Sequence, residues 1–332
     1  MQNSINPHQL ISVIMPAYNS QQYLEEAIES VLHQTYRHLE LFIMDDSSSD
    51  ETVSIAKKFE DKRIRLFLSN KNKGQSFQLN KGIASAEGDY ISIMHADDVM
   101  HPDKLEQQLI FFKNNPLTDV CGCFVQLIGE KSAIWTYPEN DRACKDTLLT
   151  SVPFAHPAVM IKKAVLKNIH PVYTPGMEAA EDYDLWVRLA DRATFGNVQK
   201  VLLKYRLHPA QLSVIKKKEE EKNVDNIRMK IISGLFKIQN EKDVVNCFNA
   251  VYNAEQLDIW NYLNSLQLLW HAGKHQTVFG IALFRRRLKH GVFKKISLLT
   301  FAKKIKLFYK YPFLLEIVQF KTGIRILCNI PK

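Results

Sequence analysis

No run of about 18 consecutive apolar residues occurs in the 332-residue sequence, so a membrane-spanning helix is not expected. Met1–Leu10 lacks the basic-then-apolar pattern of a secretory signal, and export is not expected either. Cysteine is sparse and odd in number: Cys121, Cys123, Cys144, Cys247 and Cys328 form neither a disulfide framework nor zinc-type spacing. That points to a reducing compartment. Ile11–Asn19 contains no glycine, and no phosphate loop is present. These absences argue against a nucleoside triphosphatase and against a sugar-phosphate nucleotidyltransferase, whose N-terminal loop needs glycine. With only 12 Gly and 12 Pro, collagen-like and low-complexity chains are excluded as well.

What is present is the composition of an ordinary folded protein, 46% hydrophobic and 24% charged. The length suggests one large domain and a smaller one. The net charge of +9 is unevenly spread: residues 1–215 carry 22 basic and 26 acidic side chains, residues 216–332 carry 22 and 9. From Lys274 onward 14 basic residues face only Glu316. A mildly acidic catalytic part and a basic part with an anionic partner are expected.

Short β-branched runs alternate with helical periods through the first half. Strands are expected at Leu10–Ala17, Leu39–Met44, Ile64–Leu68 and Asp89–Met94, and helices at Ser20–His33, Asp50–Phe59, Gln75–Ala86 and Lys104–Asn114. The alternation implies an α/β fold with a parallel sheet covered on both faces. Less regular sequence follows, with strands at Val120–Ile128, Ala158–Ile161 and Val201–Arg206 and a helix at Glu181–Asp191. The charge run Ile215–Asn223 marks a boundary, giving domains at 1–215 and 216–332. Beyond it Val224–Ile238, Val244–Tyr252, Leu257–His271 and Gln276–His290 have helical period.

Ligands of open parallel sheets lie beyond the carboxyl ends of the strands. There the sequence places Tyr18-Asn19, Asp45-Asp46 and His95–Asp98. Two adjacent carboxylates repel each other unless a cation joins them, and oxygen donors suit magnesium or manganese. A solvated Asp-Asp turn is the plain alternative for Asp97-Asp98 taken alone.

The stretches Ile11–Asn19, Leu41–Asp50, Asn72–Gly82, Glu87–Asp98 and Ala180–Leu189 together resemble, in order and spacing, the family 2 glycosyltransferases of the GT-A fold. The resemblance covers residues 10–215. It implies that Pro16, Ala17 and Tyr18 lie against the nucleotide base and that Asp46 accepts the pyrimidine N3 proton, favouring a uridine-linked donor. It further implies that Asp98 binds Mn2+ or Mg2+, that Asp97 lies nearer the ribose or sugar, and that Asp182, with Glu181 beside it, is the base of an inverting displacement. Tyr205–His208 resembles the segment that closes over the diphosphate, with Arg206 on the donor and His208 completing the metal shell. Where many members have Arg before the Asn of the third motif, this chain has Leu79 before Asn80; Gln78, Lys73 or no side chain at all then serves the diphosphate. His95-Ala96 also departs from the pattern, and His95 is read as shaping the metal loop.

Plainer readings stand beside these. Glu181 and Asp182 also fit first-turn acids of a helix. His156 fits either a loop residue bonded to backbone or an acceptor contact, and Cys121 and Cys123 fit packing. From Gln276 to Lys321, basic clusters such as Arg285–Arg287 interleave with Phe and Leu. Such a stretch suits an anionic membrane surface, placing the enzyme in the cytoplasm on the inner face of the cell membrane beside a glycan or lipid-linked glycan acceptor. A lid or homodimer contact is the alternative, and nucleic acid is not expected. The functional alternative to an enzyme is a nucleotide-sugar-binding or membrane scaffold without activity.

Overall fold

The computed structural model describes residues 8–253, 257–275, 306, 307 and 309–314. The first half runs β1 (Ile11–Ala17), α1 (Leu24–Leu32), β2 (Leu39–Asp45), α2 (Thr52–Lys57), β3 (Ile64–Leu68), α3 (Gln75–Ser85), β4 (Tyr90–Ile93), β5 (Val99–Met100) and α4 (Lys104–Asn114). There follow β6 (Val120–Gly129), β7 (Ala133–Trp135), α5 (Asp141–Thr147), a 3-10 turn His156–Ala158, β8 (Met160–Lys162), α6 (Lys163–Leu166), α7 (Glu181–Leu189) and β9 (Phe195–Leu207). Helices α8 (Leu212–Ile215), α9 (Lys217–Lys230), α10 (Glu241–Tyr252) and α11 (Ile259–His275) complete the described elements, with a π-turn at Ile231–Leu235.

The sheet order is β3-β2-β1-β4-β8-β6-β9-β5, with β7 on β6. The first four strands are parallel, as their alternation with helices requires. β1 and β2 are buried at every position but Pro16, the mark of a sheet covered on both faces. One face packs Val13, Met15, Leu41 and Ile43 against Ala27, Ile28 and Val31 of α1; burying each such side chain is worth roughly 1.5–3 kcal/mol. The sheet is mostly parallel, as expected, and takes in antiparallel pairs in its second half. β8 is antiparallel to both β4 and β6, and β5 is antiparallel to β9. The longest ladder, β6 with β9, is parallel and slips midway. Cys123 pairs with Val198, Phe124 with Val201 and Val125 with Leu203. β9 therefore bulges beside the carboxyl ends of the sheet.

The Glu87-Gly88 part of the fourth motif lies at the opposite end of the strands. Ser12 Oγ donates to Glu40 Oε1 (2.5 Å) and accepts from Gly88 N (2.9 Å), while Glu87 N donates to Glu40 Oε1 (2.8 Å). A Cβ on Gly88 would come within 2.7 Å of Leu10 O and Ser12 N. That glycine is required by close backbone approach.

Two compact units are formed by residues 1–224 and 225–332. In the second, α10 packs on α11 around Cys247, Phe248, Tyr262 and Leu266. Asn240 caps α10 by accepting from Asp243 N (3.1 Å), which satisfies an otherwise unpaired first-turn donor. Among the described residues no helix is long and apolar enough to cross a membrane. The Gln276–His290 helix and the basic stretch Gln276–Lys321 lie outside the described residues, save 306, 307 and 309–314.

Candidate active site

The loops after β1 and β2 are tied to each other. Asn19 Oδ1 accepts from Ser49 N (2.9 Å), and Asn19 N donates to Ser48 Oγ (3.0 Å). Asn19 and Ser47 both hold positive φ, 48° and 66°, a conformation that costs energy in non-glycine residues and gathers at functional sites. Pro16 and Ala17 end β1 at this rim, and Tyr18 stands 51% exposed beyond them. Asp45 turns back, its Oδ2 accepting from Ser47 N and Ser48 N.

Asp46 is buried, and its carboxylate organises the neighbouring loop. Oδ1 accepts from Lys73 N (2.9 Å) and Gln78 Nε2 (2.5 Å), and Oδ2 from Gly74 N (2.8 Å). Gly74 at φ 85° opens α3, a conformation that suits glycine. Gln78 is fully buried behind Asp46, with Nε2 also reaching Ser69 Oγ (2.8 Å). Two carboxylate oxygens offer about four acceptor sites, so one site on Asp46 Oδ2 stays open.

The third strand end brings His95, Asp97 and Asp98 together, with a ligand atom of each within 4.8 Å of the others. Asp98 is 1% exposed; Oδ1 accepts from Arg206 N (2.8 Å), whereas Oδ2 is buried with no hydrogen-bond partner. Burial, then the charge of Asp97, pushes Asp98 well above the usual carboxylate range. Burial acts the same way on Asp97, yet its hydrogen bond with His208 and the charges of His95 and His208 hold it below that range. His208 Nε2 lies 3.0 Å from Asp97 Oδ2, and its ring stands 5.0 Å from that of Tyr23. Arg206 is strung across the group: Nε donates to Asp97 O (2.9 Å), Nη2 pairs with Glu26 (2.5 Å), and its face lies 4.6 Å over Tyr23. A buried, unpartnered carboxylate oxygen beside a second carboxylate fits a divalent cation with oxygen donors.

Glu181 and Asp182 open α7, entered through Ala179 at φ 61°. Glu181 Oε1 accepts from Gln75 Nε2 of α3 (2.9 Å), and Oε2 is buried without a partner. Burial, then the charge of Asp182, raises Glu181 to about 8. Asp182 Oδ1 accepts from Tyr183 N (2.7 Å). Burial raises it to about 6 against that bond.

The carboxylates of β4 and α7 act on one tyrosine. Tyr205 is pushed up by burial, then by the charges of Asp98, Asp97 and Asp182. Tyr137 is likewise raised by burial and by Asp182. Trp135, 43% exposed, lies with its ring 5.5 Å from that of Tyr205.

His156 is buried, with both ring nitrogens engaged by side chains: Nδ1 with His95 Nε2 (3.2 Å) and Nε2 with Tyr173 Oη (2.8 Å). The backbone-bonded loop histidine is thereby corrected, because the 3-10 turn carries the ring inward. Asn80 holds the backbone of Tyr173 from both sides, Nδ2 to Tyr173 O (2.8 Å) and Tyr173 N to Oδ1 (2.9 Å). Tyr23, Glu26, Tyr137 and Tyr173 were not legible as site residues. Tyr23 and Glu26 read as ordinary positions of the first helix, and the segments of the other two carry no period. A neighbouring cleft of about 490 Å³, lined by Glu26, Glu29, His33, Met100, Leu203 and Lys204 among others, shares Glu26 with the site but contains none of its aspartates.

Comparison with known proteins agrees with this geometry. The profile described as glycosyl transferase family 2 matches residues 12–169. A glycosyltransferase of Rickettsia prowazekii, itself uncharacterized, is 33% identical over 217 residues, spanning 63% of this chain and 67% of its own. The crystal structure of Staphylococcus aureus TarS 1–349 in complex with UDP-GlcNAc superposes with a TM-score of 0.58 at 16% identity, covering 96% of this chain and 90% of that one. The mannosyltransferase PcManGT of Pyrobaculum calidifontis, in complex with GDP-Man and Mn2+, gives 0.53 at 14% identity, covering 98% and 88%. With its motifs on the strand ends of a GT-A fold, the chain belongs to glycosyl transferase family 2 and is a transferase acting on sugars.

Proposed function

We propose that this protein moves one sugar from a uridine-linked nucleotide donor to a hydroxyl of a glycan or lipid-linked glycan, with inversion at the anomeric carbon. The observation that carries this reading is Asp98 Oδ2, a carboxylate oxygen buried without a hydrogen-bond partner in the group of His95, Asp97 and Asp98, whose ligand atoms lie within 4.8 Å of one another.

Tyr18 supplies an exposed ring for stacking on the base, with Pro16 and Ala17 behind it. The open acceptor site on Asp46 Oδ2 suits the N3–H of uracil, and Gln78 acts through Asp46 by holding its other oxygen. Asp98 and Asp97 would hold Mn2+ or Mg2+, with His208 kept beside them by Asp97. When bound, such an ion neutralises charge developing on the departing diphosphate. Arg206, fixed by Glu26 and Tyr23, keeps a positive charge at that end. Asp182 takes the proton of the acceptor hydroxyl as its oxygen attacks the anomeric carbon opposite the breaking bond to the diphosphate. A carboxylate raised to about 6 is well matched to that task near neutral pH. Glu181 and His156 border the acceptor side, where Trp135 and Tyr205 offer aromatic faces to a sugar ring. The cationic, aromatic stretch Gln276–Lys321 supports docking on an anionic leaflet, where a lipid-linked acceptor would be presented.

A panel of UDP- and GDP-sugars, with and without Mn2+, tests the donor by thermal shift and by release of the free nucleotide. Stabilisation by UDP-sugars and UDP release are expected. A response to GDP-sugars alone would remove the role of Asp46, and a product that retains the donor's anomeric configuration would remove that of Asp182.

A further inference from the structure

A chain of hydrogen-bonded side chains runs inward from the carboxylate pair. His95 Nδ1 stands 3.8 Å from Asp98 Oδ2, the buried oxygen without a hydrogen-bond partner. His95 Nε2 meets His156 Nδ1 at 3.2 Å, and His156 Nε2 meets Tyr173 Oη at 2.8 Å. Tyr173 is fully buried, and Asn80 fixes its backbone from both sides.

The two ends of the chain set its direction. Each ring nitrogen along the chain from Tyr173 to His95 Nε2 has one side-chain partner within hydrogen-bond distance, and a ring nitrogen that accepts leaves its ring's proton on the other nitrogen. Among the described residues the Tyr173 hydroxyl has His156 Nε2 as its one hydrogen-bond partner. A buried hydroxyl proton that points elsewhere is left unpaired, so Tyr173 donates. His156 then carries its proton on Nδ1 and donates to His95 Nε2. His95 in turn carries its proton on Nδ1, facing Asp98 Oδ2 across a gap that a small side-chain rotation closes to a hydrogen bond. In the reverse direction the Tyr173 proton is stranded in the core.

We propose that Tyr173 and His156 are positioning residues that lock His95 in its Nδ1–H tautomer, so that His95 orients Asp98 as a hydrogen-bond donor instead of ligating the divalent cation itself. Both nitrogens of His95 are then committed, one accepting from His156 and one donating towards Asp98, although by distance alone the ring belongs to the cation-binding group. The functional part rests on the reading of Asp98 as a cation-holding carboxylate; the tautomer assignment stands without it.

Long-range proton–nitrogen correlation spectra of the metal-free protein with nitrogen-15 histidine, assigned with single-histidine variants, test the direction. Both His95 and His156 are expected as Nδ1–H tautomers, and Nε2–H at either position overturns the proposal. Tyr173→Phe keeps the ring and loses the donor. It is expected to release both tautomers and weaken Mn2+ binding, read by electron paramagnetic resonance, by about tenfold. Unchanged tautomers in a folded Tyr173→Phe protein overturn the proposal. His95→Asn puts an amide N–H where Nδ1–H stands and is expected to keep Mn2+ affinity within about threefold; a loss of tenfold or more identifies His95 as a ligand and overturns the proposal. Wild-type protein that shows both Nδ1–H tautomers yet binds no Mn2+ overturns the cation reading of Asp98 and leaves the tautomer assignment standing.

Discussion

His208 Nε2 lies 3.0 Å from Asp97 Oδ2, across 111 residues of sequence. The end of β9 is thereby drawn onto the loop after β4. Arg206 reinforces the junction through its backbone N–H to Asp98 and its side chain to the Asp97 carbonyl. The carboxylate pair is thus shaped by residues 108 and 111 positions further along the chain. Four consequences can be measured.

Asp182→Asn is expected to lower single-turnover sugar transfer by about 10²–10⁴-fold, the usual contribution of a general base. Calorimetric UDP affinity is expected to stay within about threefold, because the proposed nucleobase contacts, Tyr18 and Asp46, stand at other strand ends. A variant that transfers normally would exclude Asp182 as the base.

The transfer rate is expected to rise with pH through about 6 and then level off. Asp182 must be ionised to take a proton, and burial holds it at about 6. A kcat profile flat from pH 5 to 8 would oppose the assignment.

Glu181→Gln is expected to stabilise the protein at alkaline pH. The wild-type group rises from 4.5 to about 8 on folding, so the unfolded chain binds fewer protons between those values and stability falls as pH increases through them. Glutamine keeps an acceptor for Gln75 and never ionises. The gain is expected to be about 2 kcal/mol above pH 8 and near zero below about pH 4.5, read from urea unfolding at both pH values. Equal effects at the two would contradict the raised carboxyl.

Mn2+ at a hundredfold excess over its dissociation constant is expected to stabilise the fold by about 2.7 kcal/mol, and chelation should reverse this. Asp98→Asn should abolish the stabilisation. A melting temperature indifferent to Mn2+ and chelator in the wild type would argue against a site at this pair.

Much of this was legible in the sequence for a physical reason. β1 and β2 are buried on both faces, so they read as unbroken apolar runs with polar residues at their ends. Asp46, Asp97 and Asp98 stand out in that way at strand ends, whereas Asp182, on the first turn of a helix, stands out only through the family resemblance. β8 was expected as a strand at Ala158–Ile161 but nothing local sets its direction, and β5 holds two residues, too few to show a period. The partners were hidden for another reason. Nothing local to Tyr173 says that Asn80, 93 residues earlier, grips its backbone, or that the ring of His156 turns inward. Gln78 read as a group for the diphosphate because its amide bonds to Asp46 and Ser69 exist only after α3 packs beside β2.

The slip in the β6–β9 ladder has a consequence for how such a chain can change over time. Between Cys123 and Val125 two steps along β6 match five along β9, and Gln199 and Lys200 in the surplus are solvent-facing. Gln199 donates to the carbonyls of Tyr137 (3.3 Å) and Asn197 (3.1 Å) and Lys200 to Gln107 Oε1 (2.8 Å), which hold the surplus in place, and its length matters as well. Successive strand residues point to opposite sides, so losing or gaining one residue there would exchange the orientations of Tyr205 and Arg206. The aromatic ring and the guanidinium would trade places, and the catalytic pocket would be undone by a change that touches none of its residues.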